Sequence, residues 1–410
     1  MKNILLIGTL DTKGDELLFM KELVEKAHHC PIVMDIGILG EPKFKADITR
    51  EDVLRHIGKD IEYLIALQNE YEAIKLMSSA AEVMLKKLYQ EGKIDGTVGI
   101  GGGQGCSMCS PGMKQLPVGF PKVLVSTKAV QAGIKEYAGT KDIVIIPAVC
   151  DIAGLNRITR NVLKNAVGAI LGMVSIELPP HPERPVVVIS MNGTVTACGL
   201  YIKDLLEKDG YEVIVFHTLG VGGKAMEELI EGIDIACVIE LALNEIGNEL
   251  FGGLASAGKE RLEAAGRRGV TQIVTPGSID FINFLTMETV PEKYRNRRLY
   301  RHNPQATVMR MEMEEMRVIG QVIAEKLNNS RGKLEIMIPL KGFSMWDKEG
   351  KVFYDLEADR HFIESFKKHI SPVIQVTEYD LHINDRSFAD LVYKRFTELV
   401  KFGLISIFRA

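Results

Sequence analysis

The chain has 410 residues, too long for one ordinary hydrophobic core, so its length predicts two or three domains. A hydrophobic fraction of 46% and a net charge of -4 are typical of globular proteins that stay in solution. The chain has no basic tract, no apolar run of the ~20 residues that a bilayer requires, and no signal sequence before the first strand. We therefore expect no nucleic acid and no membrane among its partners, and a cytoplasmic location.

The first half of the chain alternates apolar, strand-like runs with helical patterns. Strands are predicted at residues 3–8, 31–36, 63–67, 95–101, 122–126 and 143–148, and helices at residues 13–27, 50–59, 70–91, 104–114 and 154–172. Because the strands are apolar throughout and are separated by helices, they indicate a parallel sheet that is buried on both faces. This half is therefore predicted to be a doubly wound α/β domain.

Residues 178–185 hold four prolines, which continue neither a helix nor a central strand and so predict a linker. The linker separates a domain at residues 1–180 from a second domain at residues 186–410. The second has predicted strands at residues 186–191, 212–217, 236–241, 272–276, 334–340 and 373–379, and helices at residues 195–208, 223–231, 259–268, 309–328, 359–369 and 385–402. The predicted fold class is α/β, with two doubly wound domains, mainly parallel sheets and a cleft between them.

The turn after the first strand is the leading candidate for a ligand site. It carries Gly8, Thr9, Asp11, Thr12 and Lys13 at the start of a helix. Backbone amides and the positive end of a helix suit a phosphate, to which the threonine hydroxyls and Lys13 would add donors. Asp11 is predicted either to hold a metal ion or to cap the helix.

A glycine-rich stretch after the strand at residues 95–101 supplies the second arm of this predicted phosphate site. Its glycines are Gly101, Gly102, Gly103 and Gly105. Without Cβ atoms, the backbone can approach an anion closely; the alternative is a tight turn between strand and helix. The stretch lacks the Gly-Lys-Ser/Thr ending of a Walker A loop, which excludes the P-loop NTPases. Ser126 and Thr127, at the end of the next strand, are predicted to add hydroxyls.

Two further features bear on metal binding. Asp151 follows the strand at residues 143–148, where a carboxylate binds Mg²⁺ or caps the next helix. Asp11 and Asp151 are therefore the candidate ligands of a Mg²⁺ ion that accompanies a nucleotide. Cys106 and Cys109 have the C-x-x-C spacing, but no second pair accompanies them, so helix packing is favoured over a zinc or redox site.

The second domain has a glycine-rich turn of its own, predicted to bind another anion. Its residues are Gly220, Gly222, Gly223 and Lys224, with Gly277 from a later turn. The turn fits G-x-G-x-x-A, and Glu240 follows where a ribose-binding acid is expected, so an NAD-linked enzyme is an alternative. Glu245, Asp280 and His302 are the candidate acid and base groups for catalysis, although spacing alone does not show that they converge.

Seven motifs carry a resemblance to a known family. They are GTLDTKG at residues 8–14, AGLNR at 153–157, GGKAME at 222–227, SAG at 256–258 with RLEAAG at 261–266, PGSID at 276–280, HNP at 302–304 and HIND at 382–385. In this order they resemble, from end to end of the chain, a large microbial family. That family is related to the ATP-binding N-terminal region of the tomato protein that confers resistance to tomato mosaic virus.

The resemblance implies two Rossmann-like domains, ATP as the ligand of the first-domain loops, a homodimer and a separate TIM-barrel protein as a partner. We therefore expect a protein that binds ATP or a similar nucleotide and acts, as an enzyme or enzyme subunit, on a small anionic metabolite. A non-catalytic, nucleotide-gated binding module and an NAD-linked enzyme are the alternatives. The plant protein's action on a virus is not carried over to this chain.

Overall fold

The computed structural model describes residues 1–179 and 182–407. It divides into two compact units, Met1–Pro180 and His181–Ala410. Their boundary falls within the predicted linker, of which Pro180 and His181 lie outside the described residues. Each unit contains a parallel sheet and helices, so the predicted α/β class with two doubly wound domains is confirmed.

The first unit forms a five-stranded sheet with helices between the strands. Its elements are β1 (Asn3–Gly8), α1 (Leu10–Lys26), β2 (Cys30–Asp35), α2 (Arg50–Arg55), α3 (Ile61–Ala66), α4 (Glu70–Gln90), β3 (Gly96–Gly101), α5 (Gly103–Gln115), β4 (Lys122–Ser126), α6 (Ala129–Tyr137), β5 (Val144–Pro147) and α7 (Arg157–Ser175).

The five strands are parallel and lie in the order β2-β1-β3-β4-β5. Leu5 and Ile7 of β1 pack into a core with α4 and α5, whereas Ile4 and Leu6 pack into a second core with α1 and α7. Burial on both faces explains why the strand shows no polar alternation. From β1 the chain goes first to β2 on one side and then to β3 on the other, which opens a crevice at their carboxyl ends.

The second unit is built on a six-stranded parallel sheet. Its elements are β6 (Val186–Met191), α8 (Thr196–Lys208), β7 (Glu212–His217), α9 (Val221–Gly232), β8 (Cys237–Glu240), α10 (Asn244–Phe251), α11 (Ala264–Arg268), β9 (Gln272–Val274), β10 (Phe281–Phe284), β11 (Leu299–Asn303), β12 (Ala306–Arg310), α12 (Met313–Leu327), β13 (Leu334–Pro339), α13 (Leu356–His369), β14 (Gln375–Tyr379) and α14 (Arg386–Ile407). Short 3-10 turns occur at Met287–Thr289 and Glu292–Tyr294.

The large sheet of the second unit has the order β14-β13-β9-β8-β6-β7. Read from the other edge, the first five strands of this sheet are β7-β6-β8-β9-β13, which correspond in chain order to β2-β1-β3-β4-β5 of the first unit. The two units therefore share a topology although the sequence shows no repeat at the level of residues. Their strand orders reverse at corresponding places, between β1 and β3 and between β6 and β8.

Several predicted elements differ in the structure; the helix predicted at residues 259–268, for example, begins only at Ala264. Residues 63–66 of the predicted strand at residues 63–67 belong instead to helix α3, which the Asp60 carboxylate caps by accepting the Tyr63 amide. A five-residue apolar run does not distinguish a buried strand from a helix turn. The predicted helix at residues 309–328 begins only at Met313, because Arg310 still pairs with Phe281 in a small antiparallel sheet, β10-β12-β11, that the sequence did not predict.

No helix among the described residues is long and apolar enough to cross a membrane.

Candidate functional site

A pocket of about 410 Å³ lies beyond the carboxyl ends of β1 and β3, where the strand order of the first unit reverses. Such crevices are the usual ligand sites of doubly wound sheets. The two predicted arms meet here and contribute Thr9, Asp11, Thr12, Lys13, Gly102, Gly103 and Gly105. Two neighbouring segments complete the wall, the loop after β2 with Leu39 and the turn after β4 with Lys128.

Gly8 and Gly101 were predicted to bind the ligand, but neither lines this pocket. A Cβ at Gly8 would lie 2.9 Å from the Leu17 side chain, and a Cβ at Gly101 would lie 2.8 Å from the Cys106 backbone nitrogen. The structure therefore does not support the prediction for these two glycines. They lack a side chain because strand and helix pack closely at these positions.

In the turn after β1, the groups that remain free to contact a ligand are side chains, because the backbone amides already donate hydrogen bonds within the protein. Lys13 has φ -124° and ψ 20°, so regular helix begins only after it. The amides of Thr12 and Lys13 donate to the Thr9 carbonyl at 3.2 and 2.7 Å, and the Leu10 amide donates to Asp35 Oδ1 at 2.9 Å. The hydroxyls of Thr9 and Thr12 lie 2.6 Å apart, and the Lys13 ammonium has no ion-pair partner within the described residues.

The turn after β3 supplies the amides. Gly102 is the N-cap of α5 and has no side chain with which to cap the helix. The first amides of a helix have no acceptor within the helix, and here they belong to residues from Gly103 to Gly105 that line the pocket. They lie at the positive end of the α5 dipole. Lys128 is adjacent, since a Cβ at Gly103 would meet Lys128 Cγ at 3.7 Å.

Asp11 fixes a neighbouring loop. Its Oδ2 accepts hydrogen bonds from the amides of Leu39 and Gly40 at 3.1 and 3.0 Å, while its Oδ1 is buried without a hydrogen-bond partner in the described part of the chain. Thr9, and not Asp11, is the N-cap of α1. The carboxylate therefore positions the loop after β2 against the pocket.

A second buried aspartate, which the sequence did not single out, supports the same loop. Asp35 Oδ1 accepts the amides of Leu10 and Gly37 at 2.9 and 2.8 Å. Burial raises the pKa of Asp35, and these amide hydrogen bonds and the nearby Arg50 oppose that shift. The available signal was its position, because Asp35 is the one charged residue of β2 and comes at its carboxyl end.

Ser126, Thr127 and Asp151 line a different pocket, of about 490 Å³, beyond the ends of β4 and β5. Lys128 lines both pockets. Asp11 and Asp151, the two candidate Mg²⁺ ligands, thus line different pockets. Within residues 1–179 and 182–407, no group of three or more His, Cys, Asp or Glu side chains could hold a metal ion.

The C-x-x-C pair packs in the core. Cys106 and Cys109 are both buried, and burial raises the pKa of Cys106 to about 11. Thiols with such a high pKa are poor nucleophiles and poor metal ligands near neutral pH. The pair is therefore suited to helix packing, as the sequence predicts.

The glycine-rich turn of the second unit already binds an anion from the chain itself. Glu245 Oε1 accepts the amides of Gly220 and Gly223 at 2.7 and 3.1 Å. Glu245 is completely buried, whereas Lys224 is exposed on α9. The prediction that this turn binds an external anion is therefore wrong.

The other two glycines predicted for that site are packed against backbone. A Cβ at Gly222 would lie 1.9 Å from the His217 carbonyl oxygen, and a Cβ at Gly277 would lie 1.8 Å from the Leu241 carbonyl oxygen. No side chain fits at these positions, so close backbone packing explains both glycines.

Arg261 joins Glu245 to two further glutamates. Its guanidinium contacts Glu245 Oε2 at 2.7 Å, both carboxylate oxygens of Glu240 at 2.7 Å, and Glu227 at 3.1 Å. Burial raises the pKa of Glu245, and Arg261 opposes the shift. Glu240 is thus engaged inside the unit and is not available to a ribose, which removes the basis for the NAD-linked alternative.

The crevice between β6 and β8 is filled by buried polar side chains. Asn192 donates to Thr218 at 3.2 Å and to Asn244 at 3.0 Å, while Thr194 donates to Asn192 at 2.8 Å and contacts Ser278 at 2.7 Å. The two units share a strand order, but at this point the second has a hydrogen-bonded core where the first has a pocket.

The three catalytic candidates do not converge. Glu245 belongs to the Arg261 cluster. Asp280 is buried elsewhere, where Ser344 donates to it at 2.8 Å, and burial raises its pKa to about 7. His302 lies exposed on β11, with its ring 5.2 Å from that of Trp346. The contacts of the described residues therefore do not join these three candidates in one acid and base site.

Family models cover both units. The N-terminal domain model of the family described as Uncharacterised protein family (UPF0261) matches residues 2–179, and its C-terminal domain model matches residues 184–400. The chain belongs to the UPF0261 family. A UPF0261 protein of Clostridium tetani is 40% identical over 402 residues, which cover 98% of this chain and 99% of the relative. A second UPF0261 protein, from Rhizobium meliloti, is 36% identical over 401 residues, which cover 97% of this chain and 99% of the relative.

The relation of this UPF0261 chain to the tomato protein is also confirmed. The ToMV resistance protein Tm-1 of Solanum lycopersicum is 32% identical over 423 residues, which cover 96% of this chain and 55% of the tomato protein. Solved structures are more distant. MurG of Acinetobacter baumannii is 9% identical, and the match covers 97% of this chain and 100% of MurG with a TM-score of 0.23. A putative UDP-N-acetylglucosamine 2-epimerase of Listeria monocytogenes is 9% identical, with coverage of 66% and 78% and a TM-score of 0.23.

Proposed function

We propose that the chain binds a nucleoside polyphosphate, with ATP as the leading candidate, in the pocket between β1 and β3. One observation carries the proposal: the uncapped start of α5 and two lysines, Lys13 and Lys128, line the same crevice at the strand-order reversal. Helix amides bind phosphate oxygens, and lysine ammonium groups neutralise their charge. ATP is favoured over other polyphosphates by the resemblance of the sequence motifs to the ATP-binding region of the tomato protein.

Each wall of the pocket has a part in this proposal. The amides near Gly103 would bind phosphate oxygens, while the hydroxyls of Thr9 and Thr12 would donate from the opposite wall. Any Mg²⁺ would enter with the nucleotide, because the pocket offers it one buried carboxylate oxygen without a partner in the described chain, Oδ1 of Asp11.

Titration calorimetry with ATP, ADP and tripolyphosphate, with and without Mg²⁺, tests the proposal. Lys13→Ala and Lys128→Ala should each weaken ATP binding about tenfold, because each removes a charge-assisted contact to phosphate. Lys224→Ala is the matched control, since Lys224 is exposed beside the turn that Glu245 occupies. Unchanged ATP affinity in both pocket variants would contradict the proposal. Phosphate release, measured in parallel, separates an ATP-dependent enzyme from a nucleotide-gated binding module.

A further inference from the structure

The phosphate pocket is closed on its β2 side. The loop after β2 is tied to Asp11 through the amides of Leu39 and Gly40. In dinucleotide-binding sheets the acid that binds the ribose comes at the end of the second strand, which here is Asp35. That side chain is only 2% exposed, and its Oδ1 already holds two backbone amides. The end of β2 therefore has no acid free for a sugar.

The pocket continues instead on its β4 side. Lys128 lines both the phosphate pocket and the pocket of about 490 Å³ beyond β4 and β5. The turn after β4 rests on the turn after β3, since the Thr127 amide donates to the Gly101 carbonyl at 3.3 Å. In addition, Thr127 Oγ1 lies 3.6 Å from where a Cβ on Gly102 would be. The two pockets are thus adjacent, with one cation at their junction.

The second pocket is also lined by an acidic residue, Asp151. Asp151 follows β5, lines the pocket and is exposed, and its carboxylate makes no hydrogen bond or ion pair with the described residues. Ser126 and Thr127, at the end of β4, also line this pocket, and the Ser126 hydroxyl accepts the Lys128 amide at 3.1 Å. A carboxylate has two oxygens that accept hydrogen bonds and donates none when ionised, which suits a pair of neighbouring hydroxyls.

We propose that the second pocket binds the ribose of the nucleotide, with Asp151 accepting hydrogen bonds from its 2′ and 3′ hydroxyls. The phosphates then lie over the start of α5, and Lys128 contacts the phosphate nearest the sugar. The inference rests on the proposed function, because it requires phosphate in the first pocket. It adds a ligand class, since a ribonucleotide is favoured over a 2′-deoxyribonucleotide and over inorganic polyphosphate.

Calorimetry with ATP, 2′-deoxy-ATP and tripolyphosphate tests the assignment. Asp151→Ala should weaken ATP binding about tenfold, because it removes a hydrogen bond to a charged acceptor, and should leave tripolyphosphate binding unchanged. The wild-type preference for ATP over 2′-deoxy-ATP should disappear in this variant. Glu177→Ala is the control, because Glu177 is an exposed carboxylate that lines neither pocket.

Cysteine alkylation gives a second readout that does not depend on a variant. Cys150 is half-buried and lines the second pocket, while Cys30 is half-buried at the opposite, amino end of β2. ATP should slow alkylation of Cys150 by N-ethylmaleimide several-fold and leave Cys30 unchanged, whereas tripolyphosphate should protect neither. If tripolyphosphate binds, but ATP neither binds more tightly nor protects Cys150, the ribose assignment is overturned and the phosphate site stands. If neither compound binds, the proposed function itself fails.

Discussion

The Glu245 carboxylate occupies the space that a side chain on Gly223 would need, because a Cβ at Gly223 would come within 1.9 Å of Glu245 Oε2. The other oxygen of Glu245 accepts the Gly223 amide at 3.1 Å. A turn with the spacing of a dinucleotide fingerprint therefore binds an internal anion. Its glycines are required for the same reason as in a nucleotide site, which is close approach of backbone to negative charge.

Glu245→Gln should destabilise the protein by about 1 to 3 kcal/mol, because both Glu245 oxygens accept buried hydrogen bonds and a glutamine has one acceptor oxygen, so the contact to Arg261 or those to the glycine amides are lost. Urea unfolding measures this loss. Glu231→Gln is the matched control: Glu231 pairs with Arg267 at 2.9 Å, but both side chains are nearly half exposed. Such surface pairs contribute less than about 1 kcal/mol. Equal losses in the two variants would show that the internal cluster does not support the fold.

Asp35→Ala should weaken ATP binding although Asp35 does not line the pocket. The side chain holds the amides of Leu10 and Gly37, so its removal frees the turn after β1 and the loop after β2 together. We expect a loss of stability of about 1 to 3 kcal/mol and a several-fold rise in the Kd for ATP. Asp35→Asn keeps an oxygen in the same position and should retain most of the stability and most of the affinity for ATP. Equal effects of Ala and Asn would assign the role to charge, not to these hydrogen bonds.

Two alanine substitutions separate the packing glycines from the ligand-facing ones. Gly101→Ala should cost about 1 to 3 kcal/mol of stability, because its Cβ would lie 2.8 Å from the Cys106 backbone nitrogen. Gly105→Ala places its Cβ at an ordinary 3.5 Å from the Ile100 carbonyl, and should leave stability unchanged or raise it. Thermal unfolding of both variants checks the contrast. A larger loss for Gly105→Ala would contradict it.

The sequence was sufficient to predict that the turns after β1 and β3 meet in one pocket, because its signals are local. An apolar strand, a turn with glycines and a following helix fix where the start of α5 must lie, and parallel strands bring the turns after β1 and β3 to one edge. The second unit has a similar local pattern around Gly220. There the turn is occupied by the Glu245 carboxylate, which Arg261 contacts from a later segment of the chain. No local rule distinguishes a turn that binds an internal carboxylate from one that binds a ligand.

The same limit applies to Asp280, whose surroundings come from three distant segments. Arg310 contacts Asp359 at 2.7 Å and Asp347 at 3.8 Å, while Ser344 donates to Asp280 Oδ2 at 2.8 Å. Asp280 Oδ1 is buried without a hydrogen-bond partner among the described residues. Burial raises the pKa of Asp280 to about 7, the Asp347 charge adds to the shift, and Arg310 opposes it.

This pKa predicts that one part of the stability declines as the pH rises. The ordinary value for an aspartate is 3.8, so between there and about 7 the folded protein holds a proton that the unfolded chain releases. The resulting stabilisation is complete below the unfolded pKa and is lost as the pH rises through the folded pKa. In that window the unfolding free energy of the wild type should fall by about 1.4 kcal/mol per pH unit because of this group, and Asp280→Asn should abolish that fall.

A second titrating group contributes to the pH dependence of both proteins. Burial lowers the pKa of His382, which gives a slope of opposite sign that wild type and variant share. The pKa of Asp359 in the same cluster as Asp280 is also raised, chiefly by burial and in part by the Asp280 charge, so the difference between wild type and variant reports the coupled pair. A difference in unfolding free energy that is independent of pH, measured by urea unfolding from about pH 5 to about pH 8, would refute a proton held by this pair in the folded state.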